Sequence, residues 1–208
     1  MKFDVLIIGG GLAGLTCGIR LQKNGVKCAI VSTGQSALHF SSGSFDLLNE
    51  LPDGTKVDNP MAAVGKVSVN HPYAKLGSEF AYYVHEAKQQ FLDLGIEVAG
   101  DAEQNHLRIT PMGTLKPTWL TFSDFTPFSS VSDMAGKKIR VVNMAGFLDF
   151  NTKFVADSFE KYGAKCQISS INLPELERLR ISPTEMRSTN IARVLENEKT
   201  LEALIMEL

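Results

Sequence analysis

The opening of the chain leaves few folds to choose from. Phe3-Asp4-Val5-Leu6-Ile7-Ile8 is mostly branched or apolar and runs straight into Gly9-Gly10-Gly11-Leu12-Ala13-Gly14. A short apolar run with little alternation suits a parallel strand buried on both faces. Over residues 12–24, Leu12, Leu15 and Ile19 recur at helical steps, and Gly25 supplies a stop. Residues 26–31 are a second apolar run. Strand, glycine turn, helix and strand within about thirty residues predict a right-handed βαβ unit.

The glycines fit the spacing G-x-G-x-x-G, with Gly10, Leu12 and Ala13 between Gly9, Gly11 and Gly14. Gly9 allows the tight turn out of the strand, Gly11 lets phosphate oxygens reach the backbone, and Gly14 lets the helix pack closely on the strand. A helix N-terminus in this place offers unpaired N–H groups and partial positive charge to an anion. The competing reading is a glycine-rich turn with no ligand. After an apolar strand and opening a helix, the spacing favours the phosphate site.

A dinucleotide site of this kind commonly carries an acid at the end of the second strand, to hold the adenosine ribose. Here that place reads Val31-Ser32-Thr33-Gly34. Hydroxyls replace the carboxylate, which argues against an adenine dinucleotide and for a phosphate ligand without adenosine. The next stretch, GQSALHFSSGSFD (residues 34–46), is dense in glycine and small polar side chains. Ser41, Ser42, Gly43 and Ser44 could pass over a flat ring and donate to its polar atoms, and His39 could donate to it or tune it. The competing reading is a polar surface loop.

Farther on, LPDGTKVDNP (residues 51–60) reads as an exposed loop. A helix is expected over 78–94 with Ser78 as its N-cap, and a short strand over 96–99. Residues 106–122 read as two strands broken at Pro111-Met112-Gly113. Strands over 138–143 and 165–171 flank a helix over 150–162, a second strand–helix–strand passage. The tail from 189 to 208 reads as one helix. The expected class is α/β.

Composition removes other classes. The 208 residues carry 21 Lys+Arg against 23 Asp+Glu, which leaves no cationic excess to displace counterions from nucleic acid. No run of ~18 apolar residues suggests a membrane span, and the short apolar start does not read as a signal peptide, so a cytosolic chain is expected. Cys17, Cys28 and Cys166 are too few and too far apart for a disulfide framework, an iron–sulfur cluster or structural zinc, and no metal site is expected. Cys17 and Cys28 are expected as small hydrophobes on the inner faces of helix and strand. His71, His85 and His106 match no metal spacing and read as structural or surface residues. Arg108, Lys116, Lys137 and Lys138 are candidates for holding a substrate phosphate, Arg108 and Lys116 ahead of the others. Trp119, Phe122, Phe125 and Phe128 read as core or interface residues.

From Met1 through the serine loop, at RITPMGTLKPTWL (residues 108–120), and at LPELERLR and TEMRSTNIARVLENE (residues 173–180 and 184–198), the chain resembles the B-type subunit of anaerobic glycerol-3-phosphate dehydrogenase. The resemblance extends along all 208 residues. It implies a flavin-dependent enzyme that oxidises sn-glycerol 3-phosphate to dihydroxyacetone phosphate, with electrons passing to quinone and then to fumarate or nitrate. It implies FMN as the cofactor, with FAD as the alternative. It also implies an A-type flavoprotein partner and an iron–sulfur C-type subunit that docks the pair to the inner membrane, so that a cytoplasmic chain is held there peripherally. On this reading residues 1–70 are a Rossmann-like flavin-binding segment with a ring-facing loop, and residues 71–208 a mixed α/β substrate and partner region. Family members are about twice as long, so the fold is expected to be incomplete relative to the family. No side chain stands out as the base that must take the hydroxyl proton. Two other readings are a non-catalytic scaffold subunit on a degenerate nucleotide fold, and an NAD(P)-linked dehydrogenase resting on the glycine spacing alone.

Overall fold

The computed structural model describes residues 1–34, 36–182 and 186–208, and the side chains of all of these except His39 and Phe40. The chain forms two compact units, Met1–Ser44 and Phe45–Leu208.

The first unit is a βαβ. Strand β1 (Val5–Ile8) leads through the glycine turn into helix α1 (Leu12–Lys23) and then strand β2 (Cys28–Val31). The strands pair in parallel, Val5 opposite Cys28 through Ile8 opposite Val31. The Asp4 N–H donates to Lys27 O at 2.8 Å, and the Lys27 N–H to the Asp4 carboxylate at 3.2 Å, which pins the entrance of the pair. Burial on both faces does not hold. Leu6 is 61% and Ile8 87% exposed, and Ile30 and Val31 are also exposed. A two-stranded sheet has two faces and α1 covers one of them, so every second side chain of β1 meets solvent. Cys17 is exposed rather than inward, whereas Cys28 is half-buried, its Sγ 3.6 Å from Gly18 O.

The second unit contains short strand β3 (Ser44–Phe45, beginning at the last residue of the first unit), helices α2 (Pro60–Ala63), α3 (Pro72–Leu76) and α4 (Phe80–Asp93), and strands β4 (Val98–Ala99), β5 (His106–Ile109), β6 (Leu115–Thr118) and β7 (Leu120–Phe122). They are followed by β8 (Lys138–Met144), α5 (Thr152–Lys161), β9 (Lys165–Ile171), α6 (Glu177–Arg180), α7 (Ser188–Leu195) and α8 (Glu198–Glu207). Strand β7 lies between β3 and β4, β5 pairs antiparallel with β6, and β8 pairs in parallel with β9 over seven residues. Among the described residues all four clusters of buried apolar side chains belong to this unit. The largest joins Val155, Ala156 and Phe159 of α5 to Val141 of β8, with Met134 and Phe128.

Several boundaries differ from the sequence reading for physical reasons. Ser78 does not cap a helix. A turn of 3-10 helix at Gly77–Glu79 leads into α4, and the capped start lies earlier, where His71 Nδ1 accepts from the Tyr73 N–H at 3.2 Å ahead of Pro72. Residues 106–122 make three strands, because at Trp119 the chain leaves β5 and hydrogen-bonds the Phe45 carbonyl at 3.0 Å. The tail breaks at Glu196-Asn197, where Asn197 Oδ1 accepts from the Thr200 N–H and starts a new helix. Phe125 is exposed, while Trp119 and Phe128 are core residues.

Candidate functional site

The glycine turn positions the N-terminus of α1. Gly9 has φ +114, a conformation that L side chains rarely adopt, and its N–H donates to Val31 O at 2.8 Å. Gly14 makes the close approach: a Cβ there would collide with the Gly9 carbonyl oxygen and sit 3.4 Å from Ile7 Cγ2. Gly10 faces Ser32, whose Cβ and Oγ would be 3.2 Å from an added Cβ. Gly11 differs from these, since among the described residues an added Cβ would meet only Ser36 Cβ at 3.9 Å. Among those residues its side-chain direction is open space in front of the helix.

Gly11 is also the N-cap, with extended backbone, and it makes no side-chain cap to the first turn. Among the described residues the first amide of the helix to find an acceptor is that of Leu15, on Gly11 O at 2.9 Å. No acidic residue stands in that turn to compete for the helix's positive end. Leu12 and Ala13 are exposed beside it. An uncapped, acid-free helix N-terminus facing open space fits a phosphate.

At the end of β2, Ser32 and Thr33 are exposed. Ser32 Oγ donates to Gly34 O at 3.1 Å, which leaves its oxygen able to accept but fixes its hydrogen within the turn. In the serine loop, Ser41 Oγ accepts from the Gly43 N–H at 3.2 Å and keeps its own hydroxyl proton. Ser42 and Ser44 hydroxyls hydrogen-bond each other at 3.1 Å, so one hydroxyl proton of that pair is available outward. Gly43 is buried. The His39 side chain, expected near the ring, lies outside the described residues.

The other candidates separate clearly. His85 is exposed and His71 is a helix cap. His106 is buried, with Nε2 on Thr121 Oγ1 at 3.2 Å, and burial pushes its imidazole below the ordinary value. Lys137 and Lys138 are exposed at the start of β8. Lys116 pairs with Asp46, whereas Arg108 is buried on β5. Sequence reasoning missed Asn105, whose Nδ2 donates to Leu48 O at 2.9 Å and Val57 O at 2.8 Å and ties down the 48–57 loop. A lone Asn before a strand carries no signal of such a role. Beside it, a cavity of about 400 Å³ is lined by Lys88, Asp101, Gln104, Asn105 and His106, among others. Among the described residues no three His, Cys, Asp or Glu side chains gather as around a metal ion, and no helix is long and apolar enough to cross a membrane.

A glycine turn after a parallel strand, opening a helix, is an arrangement suited to a nucleotide phosphate, and comparison with known proteins gives a flavin-binding class. Residues 4–208 match the FAD binding domain family, and the chain belongs to it. The particular relatives are narrower. The chain is 43% identical over 213 residues to the B-type subunit of anaerobic glycerol-3-phosphate dehydrogenase from Yersinia pestis bv. Antiqua (strain Antiqua). It is 44% identical to the protein of that name from Yersinia enterocolitica serotype O:8 / biotype 1B, and 38% to that of Actinobacillus pleuropneumoniae serotype 5b. Each similarity covers 100% of this chain and 50% of the relative, so the chain spans about half the length of these curated relatives. No solved structure matches it.

Proposed function

We propose that this chain works as a flavin-dependent subunit of an anaerobic sn-glycerol-3-phosphate dehydrogenase, with a Rossmann-like β1–α1–β2 as the seat of the cofactor phosphate. The observation that carries the reading is the open, uncapped N-terminus of α1 at Gly11, taken with relatives that bear that name along the whole chain. The reaction is oxidation of glycerol 3-phosphate to dihydroxyacetone phosphate, with electrons delivered to quinone and onward to fumarate or nitrate. A bound flavin supplies the two-electron acceptor for the substrate carbon.

The chain's own residues bind and orient. The α1 amides and Gly11 receive the phosphate, Gly14 holds the helix against β1, and Ser32 and Thr33 offer hydroxyls where a dinucleotide site would offer a carboxylate. Ser41, Ser42, Gly43 and Ser44, together with His39, supply small side chains and donors for the ring. The missing carboxylate favours FMN over FAD. Residues 1–70 are assigned to the flavin and residues 71–208 to substrate and partners, a division by role that need not follow the compact units. The word subunit in the relatives' names supports an assembly, here proposed as an A-type flavoprotein and a membrane-docking iron–sulfur C-type subunit that hold the chain peripherally at the inner membrane.

Mass identification of the cofactor released by heat from the purified chain tests this. FMN is the expected result, and FAD would overturn the choice of cofactor. A colourless protein would favour the scaffold reading, for which Val31-Ser32-Thr33 without an acid is the supporting feature.

A further inference from the structure

Buried polar atoms without a partner are uncommon in folded proteins, and each one needs a reason. Among the described residues they are Asn49 Oδ1, Asn105 Oδ1, His106 Nδ1, Arg108 Nε and Trp119 Nε1. Four of the five belong to residues 105–119, and the fifth side chain, Asn49, donates from Nδ2 to Pro117 O of β6 at 2.8 Å. The unpaired atoms therefore concentrate on one hairpin and its neighbours.

Arg108 is the decisive member. It is 7% exposed, and its side chain's one hydrogen bond among the described residues runs from Nη1 to Ile109 O at 3.2 Å. No carboxylate pairs with it among those residues. An arginine cannot shed its proton to escape burial, and a buried charge without a counter-ion is strongly unfavourable. Strand pairing sets Arg108 directly opposite Lys116, and directly paired residues share a face of the hairpin. Lys116 is matched by Asp46. Among the described residues two cations thus share that face with one carboxylate, and one positive charge is left over. The Lys116 and Asp46 side chains are 45% and 38% exposed, so the rim of the face is open to solvent while the guanidinium lies deeper.

We infer that this face of the β5–β6 hairpin binds the phosphate head of a small phosphate monoester, with Arg108 as the inner donor and Lys116 at the rim. A guanidinium with Nε unpaired matches a phosphate's paired oxygens, which a lysine ammonium cannot do. Naming glycerol 3-phosphate as that monoester rests on the function proposed above.

The test uses the whole chain. Calorimetric titration with sn-glycerol 3-phosphate, glycerol and succinate is paired with spectra of the arginine Nε–H groups of the ¹⁵N-labelled protein. Glycerol 3-phosphate is expected to bind and to move the Arg108 Nε–H signal, while glycerol and succinate do neither. Arg108→Gln is expected to weaken binding by about tenfold or more, with Arg108→Lys between it and the unaltered chain. Equal binding by Arg108→Gln, a stationary Arg108 signal at saturation, equal binding of succinate, or no binding of glycerol 3-phosphate would each overturn the inference. Should Arg108→Gln fail to fold, the unaltered chain's spectra and the half-exposed Lys116→Gln variant, expected to bind about threefold more weakly, decide the matter. Flavin absorbance on the same samples keeps the two readings apart. Flavin retained without glycerol 3-phosphate binding defeats this inference alone, and the converse defeats only the flavin reading.

Discussion

The chain builds a strand–helix–strand unit twice, as β1–α1–β2 and as β8–α5–β9, and the two differ most at the N-terminus of the helix. In the second, Asn151 Oδ1 accepts from the Phe154 N–H at 3.0 Å, the strands pair over seven residues, and Val155, Ala156 and Phe159 are buried. In the first, Gly11 offers no cap, the strands pair over four residues, and Leu6 and Ile8 face solvent. One unit satisfies its own helix end and closes a core. The other keeps its helix end available and its outer sheet face open, which is what a ligand seat requires and a purely structural unit avoids.

The contrast can be broken most forcefully in the second unit. Phe159→Ala empties a position that is 5% exposed among Val155, Ala156 and Val141, and is expected to cost about 3–5 kcal/mol in denaturant unfolding. Asn151→Ala should cost about 1 kcal/mol, read as a drop of about 2–4 °C in Tm for a chain of this size. Gly11→Ala in the first unit removes no side-chain cap and is expected to cost less, about 0.5 kcal/mol, from the poorer fit of alanine at an N-cap.

The open face of β1 sharpens the comparison. Ile8→Ser replaces a residue 87% exposed and is expected to change stability by less than about 0.5 kcal/mol, while lowering binding of the dye ANS. A loss of several kcal/mol would show that this face is covered in solution. The smallest effect is in pH. Burial holds His106 below its ordinary pKa of 6.5, so the unfolded chain takes up the proton first. The stability tied to the neutral ring is complete above about pH 6.5 and is lost as pH falls through the lowered folded value. Unfolding curves of His106→Gln should be flatter than those of the unaltered chain below that pH.

What the sequence made legible follows the same division. The β1–α1–β2 and β8–α5–β9 units could be read from apolar runs and glycines because their order is local, and β9 falls on the residues the pattern marked. The exposure of Leu6 and Ile8 could not, because a strand's composition does not say how many neighbours its sheet has. The turn at Trp119 depends on Phe45, which is 74 residues away in the chain, and no periodicity carries that information. The glycine turn was visible because its geometry is written in missing side chains. The buried Arg108 was visible only as one cation among several, since its lack of a counter-ion among the described residues is a property of the folded hairpin.

In the proposed flavin seat, Gly11 opens the helix end to the cofactor phosphate. Flavin occupancy of Gly11→Val, measured by absorbance with circular dichroism and thermal unfolding as the check on folding, tests it most directly. Among the described residues a valine there meets little but Ser36 Cβ, at 3.9 Å from its Cβ, so the fold should persist. Its branches would fill the space where the phosphate approaches. The expected result is a folded protein without flavin, beside an unaltered chain that carries it. Full flavin occupancy in a folded Gly11→Val variant would contradict it.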